Sequence, residues 1–153
     1  MIYEIPNVGE LELKTIILDL NGTTAVSGSI VSGVKERLEK LKDLGFKIVL
    51  FTGNTHNNAD EIAKDLGIEW EYAKTGDEKK EKALLLEPET CVSIGNGLID
   101  LELMKVVKLR IVTLQAEGVH VQTLINSDIV IPSILDALDL LIIPETLIAT
   151  LRK

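Results

Sequence analysis

The stretch IILDLNGTT, residues Ile16–Thr24, decides the fold and locates a candidate site. Its apolar start belongs to a longer run, Thr15–Leu20, which is typical of a strand buried on both faces of a sheet. Asp19 places a carboxylate at the end of that run, Asn21 adds an amide two residues later, and Gly22 follows at once. Ligands of open α/β sheets bind at the carboxyl ends of strands, so this stretch predicts a ligand site.

Short apolar runs alternate with segments of helical periodicity along the rest of the chain. Val34, Leu38 and Leu41 mark one helix face, and Gly45 and Gly67 are predicted to end the first two helices. Further predicted strands are KIVLFTG, the weaker EWEYAK, CVSIGNG, RIVTLQ and DIVIPS. The alternation predicts an α/β fold, a doubly wound (Rossmann-like) parallel sheet flanked by helices, as a single domain over residues 1–153.

Three other segments carry weaker structural expectations. TAVSGSIVSG, rich in serine and glycine, is interpreted as a small hairpin beside the site, and VGELEL as an extra edge strand. DEKKEKALLL is predicted to be helical, and the C-terminal residues PSILDALDLLIIPETLIATLRK are predicted to form two helices, or one helix broken at Pro144.

Composition excludes some classes of partner. The chain has 153 residues, 46% of them hydrophobic, and a net charge of −8. Nucleic acids and anionic membranes require basic patches, so neither is expected as the main partner. The single cysteine, Cys91, lies in an apolar run and is interpreted as a buried hydrophobic residue. With no signal-peptide pattern and no apolar run long enough to span a membrane, a cytoplasmic protein is expected.

Polar residues follow three of the predicted strands. Because the carboxyl ends of parallel strands lie at one edge of the sheet, these residues are expected to converge. They are Asp19 and Asn21 after the first strand, Thr52, Gly53 and Asn54 after the second, and Asn96 with Asp100 after CVSIG.

The same three segments resemble motifs of the haloacid dehalogenase-like superfamily, which includes many phosphatases and the phosphorylation domains of P-type ATPases. DLNGTT resembles the first motif, a nucleophilic Asp followed by x-D-G-T or K-T-G-T. VLFTGN resembles the second motif, and SIGNGLIDLELM resembles the fourth, usually G-D-G-x-x-D. Small soluble P-type-ATPase-like members also carry D-L-N-G-T and G-N-G. The gaps between the motifs are too short for the cap domain of many relatives, so a capless hydrolase is expected.

The resemblance implies a role for each polar position. Asp19 would attack phosphorus and form an aspartyl phosphate, since carboxylates are recognised nucleophiles for this step. Mg²⁺ is the implied cofactor, held by the Asp19 side chain, the main-chain carbonyl of Asn21 and a residue of the GNGLID loop, Asn96 or Asp100.

The phosphate would accept hydrogen bonds from Thr52, Gly53 and Asn54. The family also requires a lysine, and DEKKEKALLL offers three. Lys82 is selected because family members often carry this lysine just before a small apolar run, as in KALLL, with Lys74 as the second choice. The alternative is that all three lysines form a solvated helix face.

Two departures from the family pattern affect the expected chemistry. Many family phosphatases have, at the position of Asn21, an Asp that protonates the leaving group and then activates water. An amide cannot replace that acid–base help, typically worth ~10²–10⁴-fold, so hydrolysis of the aspartyl phosphate is also expected to be slow. Asn96 stands where a metal-binding Asp is usual, so one negative charge is missing and Asp100 would take a larger share. Substrates with good leaving groups are therefore expected to react best.

The leading hypothesis is a Mg²⁺-dependent phosphohydrolase or phosphoryl-transfer enzyme acting on small phosphorylated molecules. The alternative is a catalytically impaired phosphate- or nucleotide-binding regulatory module, and a structural subunit is a third possibility. Capless relatives often use a neighbouring copy as a lid, so a homo-oligomer is a further expectation. His56 is interpreted as a surface or helix-capping residue.

Overall fold

The computed structural model describes residues 1–53 and 58–153. Its strands are β1 (Ile2–Ile5), β2 (Gly9–Glu12), β3 (Thr15–Asp19), β4 (Ala25–Val26), β5 (Ser29–Ile30), β6 (Lys47–Thr52), β7 (Glu69–Tyr72), β8 (Cys91–Gly95), β9 (Leu109–Thr113) and β10 (Ile129–Ile131). Its α-helices are α1 (Val34–Asp43), α2 (Asn58–Leu66), α3 (Gly76–Leu84), α4 (Leu101–Met104), α5 (Val121–Ile125), α6 (Ile134–Ile142) and α7 (Pro144–Leu151). Two 3₁₀ turns span Pro88–Thr90 and Leu98–Asp100.

Six parallel strands form the central sheet in the order β10-β9-β8-β3-β6-β7. The chain runs outward from β3 through β6 and β7, then returns to the other side of β3 for β8, β9 and β10. A doubly wound sheet of this kind places its ligand crevice where the strand order reverses. The predicted fold class is therefore confirmed, and the crevice lies beside the end of β3.

The middle strand β3 is buried on both faces, which explains its unbroken apolar sequence. Ile16 and Leu18 point into the larger core, where α1, α2 and α6 contribute apolar side chains. Ile17 points to the opposite face and packs in a smaller cluster with Ala83 of α3 and Leu103 of α4. Helices on both faces thus hold β3, and with it Asp19, in a fixed position.

The helices that cover the sheet are short. The longest in the described ranges is α1, whose ten residues bury Val34, Leu38 and Leu41 as their spacing predicts. Gly45 and Gly67 follow α1 and α2 with φ values of 96° and 64°, a conformation that costs glycine little. Nowhere in residues 1–53 or 58–153 is there a helix with the length and apolar character needed to span a bilayer.

Most of the smaller segments agree with the sequence predictions. TAVSGSIVSG contains the antiparallel hairpin β4–β5, and the C-terminal segment forms the two helices α6 and α7, with Pro144 as the first residue of α7. The prediction for VGELEL is wrong, because β2 pairs with β1 in a separate two-stranded sheet. The reason is the apolar inner face of this hairpin, which covers α6, where the Tyr3 hydroxyl donates a hydrogen bond to the Leu141 carbonyl at 2.7 Å.

Candidate active site

A cavity of about 500 Å³ opens at the carboxyl ends of β3, β6 and β8. This volume is typical of sites for small molecules. The sequence-predicted residues that line it are Asp19, Asn21, Thr52, Gly53 and Asn96. Residues from all three predicted clusters therefore converge on one cavity. Asn54, assigned to phosphate, and His56 lie outside the described residues.

The Lys79 ammonium group joins two carboxylates at the base of this cavity. Its Nζ lies 2.9 Å from Asp19 Oδ1 and 2.8 Å from Asp100 Oδ1. The Lys79 side chain is 1% exposed and that of Asp100 is 2% exposed, whereas Asp19 retains 14%. Asp19 is therefore the most exposed of the three side chains, and its two ion-pair partners are buried behind it.

Local sequence explains why Lys79 points inward. Thr75 caps α3, its hydroxyl accepting a hydrogen bond from the Glu78 N–H at 3.2 Å, and this fixes where the helix starts. Lys79 lies four residues before Ala83, so both side chains occupy the same buried face of α3. The helix phase therefore directs Lys79 to Asp19.

The geometry places Lys79, and not the selected Lys82, beside Asp19. Lys82 adjoins Ala83 in sequence and consequently lies on another face of α3, where its Nζ is 3.0 Å from Glu71 Oε2. Its side chain is 41% exposed. Lys74, the second choice, does line the cavity, but the ammonium group beside Asp19 belongs to Lys79.

Burial and neighbouring charges shift the pKa values of Asp19 and Lys79. Burial, followed by repulsion from Asp100, raises the pKa of Asp19 to about 7, even though Lys79 opposes the shift. For Lys79, burial disfavours the charged form, but attraction to Asp100 and Asp19 outweighs it and raises the pKa above its ordinary value. Lys79 therefore retains its positive charge near neutral pH, whereas Asp19 takes up a proton far more readily than an ordinary Asp side chain.

The turn after β3 is held by its own hydroxyl and backbone groups. The Thr24 hydroxyl donates to the Asp19 main-chain carbonyl at 2.7 Å, and the Gly22 N–H donates to the Ala25 carbonyl at 2.8 Å. Gly22 has a φ of 76°, which other residues adopt with strain. The Asn21 side chain, in contrast, is exposed to the cavity and solvent.

Asp100 is occupied on both carboxylate oxygens. Oδ1 accepts from Lys79, and Oδ2 accepts from the backbone N–H groups of Asn96 and Gly97 at 3.0 and 3.1 Å. Gly95 permits this approach, because a Cβ atom there would overlap Asp100 Oδ2. Asp100 therefore orients Lys79 and the β8 loop, and its expected role as a metal ligand stays a prediction.

Glu117 is a cavity residue that sequence reasoning missed. It lies in the loop after β9, and its Oε2 accepts a hydrogen bond from Asn96 Nδ2 at 3.3 Å. Because β9 is the neighbour of β8, the rule that ligands bind at strand ends could have drawn attention to the segment LQAEGVH. The predicted site includes residues from three strand ends, and the end of β9 is not among them.

The oxygen atoms at this cavity suit a hard divalent cation. Mg²⁺ prefers oxygen ligands and usually retains several waters beside one or two carboxylates and substrate phosphates. Asp19, Asn21 and Glu117 offer carboxylate and amide or main-chain oxygens. Across residues 1–53 and 58–153, no three His, Cys, Asp or Glu side chains are grouped closely enough to hold a metal ion alone. Water and substrate oxygens would therefore complete the ligand set.

Comparison with known proteins agrees with this geometry. Residues 6–107 match the family model of the haloacid dehalogenase-like hydrolases. A soluble P-type ATPase-like phosphatase from Methanocaldococcus jannaschii is 29% identical over 135 residues, which cover 85% of this chain and 50% of that protein. A potassium-transporting ATPase ATP-binding subunit from Deinococcus radiodurans is 33% identical over 101 residues, 63% of this chain and 15% of the subunit. The chain thus spans half or less of these relatives.

Solved structures share the fold. The 3-deoxy-D-manno-octulosonate 8-phosphate phosphatase from Moraxella catarrhalis, in complex with magnesium, phosphate and KDO, superposes with a TM-score of 0.72 at 22% identity. The match covers 92% of this chain and 94% of that one. With the family model matching residues 6–107 and the fold in agreement, the chain belongs to the haloacid dehalogenase-like hydrolase family.

Proposed function

We propose that the protein is a Mg²⁺-dependent phosphohydrolase that acts through an aspartyl phosphate at Asp19. The observation that carries the proposal is the position of the Asp19 carboxylate, exposed to a cavity of small-molecule size and in contact with the buried Lys79 ammonium. A carboxylate needs a neighbouring positive charge to approach an anionic phosphoryl group, and Lys79 provides it.

In the proposed reaction, the Asp19 Oδ2 attacks phosphorus, and the bond between phosphorus and the leaving oxygen breaks. Lys79 Nζ offsets the negative charge that gathers between Asp19 and the phosphoryl oxygens. Mg²⁺, when bound, would neutralise phosphate charge and align the group for in-line transfer. Attack of water on the aspartyl phosphate then releases inorganic phosphate and regenerates Asp19.

The substrate class follows from Asn21. Its amide cannot donate a proton to the leaving oxygen, so that oxygen has to depart as a stable anion. Acyl phosphates, aryl phosphates and nucleotide anhydrides meet this condition, whereas sugar phosphates do not. The name of the M. jannaschii relative, a soluble P-type ATPase-like phosphatase, supports the general class of reaction.

Phosphate release tests the proposal. Acetyl phosphate, p-nitrophenyl phosphate and a sugar phosphate are incubated with the wild type, with and without Mg²⁺. Asp19→Asn removes the nucleophile at nearly constant volume, and Asp43→Asn, at an exposed position of α1, is the matched control. We expect Mg²⁺-dependent release from the first two substrates, abolished in Asp19→Asn and retained in Asp43→Asn. Faster release from the sugar phosphate would contradict the assigned substrate class.

A phosphate- or nucleotide-binding regulatory module is the second candidate. The amides at Asn21 and Asn96, both facing the cavity, favour it, because they remove groups that turnover uses. In that case phosphate or a nucleotide would bind to the wild type and to Asp19→Asn without any release of inorganic phosphate. Calorimetric binding measurements beside the activity assay therefore separate the two candidates.

A further inference from the structure

The carboxylates that line the cavity, among the described residues, are Asp19 and Glu117. Asp100 does not add a third, because Lys79 and two backbone N–H groups occupy its oxygens and its side chain is 2% exposed. Glu117 is exposed, and it takes part in none of the ion pairs that the described residues form. Its negative charge is therefore available to a ligand in the cavity.

The loop after β9 holds Glu117 against the turn that follows Asp19. Gln115 connects this loop to the site by donating to the Thr23 carbonyl and accepting from the Ile134 N–H. Glu117 itself packs beside Gly22, where a Cβ atom would overlap Glu117 Oε2. The carboxylate thus lies beside the main chain of the Asn21–Gly22 turn.

Asn96 and Glu117 are complementary as hydrogen-bond donor and acceptor. Asn96 Nδ2 donates to Glu117 Oε2 and to the Gly118 carbonyl, while Asn96 Oδ1 accepts from the Thr23 hydroxyl at 3.4 Å. Asn96 Nδ2 lies 3.3 Å from Glu117 Oε2, so a carboxylate at position 96 would repel the Glu117 carboxylate. The amide therefore positions Glu117, and its own oxygen is engaged by the Thr23 hydroxyl.

We propose that Glu117 supplies, directly or through one bound water, the carboxylate ligand that the Mg²⁺ site lacks at Asn96. Asn96 is then a positioning residue. Compared with the family pattern, one carboxylate is absent from the loop after β8 and one is present in the loop after β9. The number of carboxylates near the cation is therefore maintained. The inference rests on the proposed function, because it assigns a ligand of the same site.

Cation binding to the full-length protein without substrate gives a test that does not depend on turnover. Titration calorimetry with Mg²⁺ and spin-resonance titration with Mn²⁺ compare the wild type, Glu117→Gln and Glu39→Gln, an exposed control on α1. We expect Glu117→Gln to weaken binding by at least ~10–100-fold, the range for groups that orient the ligands of a metal. Glu39→Gln is expected to bind as the wild type does.

A double variant tests whether the two positions supply the same ligand. Asn96→Asp with Glu117→Gln restores one carboxylate while avoiding the repulsion, so its affinity is expected to return to within about 3-fold of the wild type. Equal affinity in the wild type and Glu117→Gln would overturn the inference, and so would a double variant as weak as Glu117→Gln. Failure of the proposed function is distinguishable, since it appears as absent Asp19-dependent phosphate release in the wild type.

Discussion

The cavity has two sides that differ in burial and charge. The lysine side consists of Asp19, Lys79 and Asp100, and its ion pairs are almost closed to water. The amide side consists of Asn21, Asn96 and Glu117, where amides replace the family's usual acids and Glu117 is exposed. Changes on the lysine side disturb both folding and chemistry, because buried charges depend on their partners. The amide side can change its chemistry while the fold remains intact.

Removal of the shared cation on the lysine side should have the largest effect. Lys79→Met leaves the buried carboxylates of Asp19 and Asp100 without their shared cation. We expect a loss of about 3–5 kcal/mol in the free energy of unfolding, measured by urea denaturation, together with loss of phosphate release. The loss should be larger at about pH 8 than at about pH 5, because protonation at acid pH removes the repulsion between the carboxylates.

Lys82→Met is the matched control on the same helix. Its ion pair with Glu71 is exposed, so the free energy of unfolding should change by no more than about 1 kcal/mol, with turnover retained. If Lys82→Met abolished phosphate release and Lys79→Met did not, the assignment of the lysine side would be wrong.

On the amide side, Asn21→Asp should add the missing acid and leave stability unchanged. The side chain is exposed, so a carboxyl group there has no burial cost. Release of phosphate from a sugar phosphate is expected to rise by up to ~10²-fold, the lower part of the range for general acid catalysis. In the phosphoryl-transfer step, measured in a single turnover, acetyl phosphate should gain little, because its leaving group needs no proton. An equal gain for both substrates would show that Asn21 limits a step other than departure of the leaving group.

Asp19→Asn should give a smaller effect on stability that depends on pH. The folded state raises the pKa of Asp19 to about 7 from an ordinary value of 3.8, so the proton stabilises the fold below about pH 4 and this contribution is lost as pH rises through 7. Without divalent cations, the variant should therefore melt a few degrees above the wild type at about pH 8, since ~1 kcal/mol shifts a domain of this size by roughly 2–4 °C.

The difference between the two melting temperatures should shrink towards about pH 5, where Asp19 carries its proton in the folded state. Calorimetric melting curves across this range provide the measurement. A variant less stable than the wild type at about pH 8 would mean that attraction to Lys79 exceeds the cost of burying the Asp19 carboxylate.

The sequence was sufficient for the fold and for most of the cavity. Unbroken apolar runs indicate buried strands, and the carboxyl ends of parallel strands lie at one edge of the sheet. For these two reasons, Asp19, Thr52 and Asn96 could be placed at one site. Lys82 was chosen by its sequence neighbours, whereas helix phase relative to Ala83 selects Lys79. Glu117 was missed because its approach to Asn96 depends on the path of an irregular loop, which periodicity does not describe.

The central claim is that Asp19 becomes phosphorylated, and intact-protein mass spectrometry tests it most directly. The wild type and Asp19→Asn are incubated with acetyl phosphate and Mg²⁺ and quenched in acid, where an acyl phosphate persists. The account predicts that the wild type gains the mass of one phosphoryl group, that hydroxylamine removes it, and that Asp19→Asn gains nothing. An equal gain in Asp19→Asn, or phosphate release from the wild type with no trapped phosphoryl group on Asp19, would contradict the account.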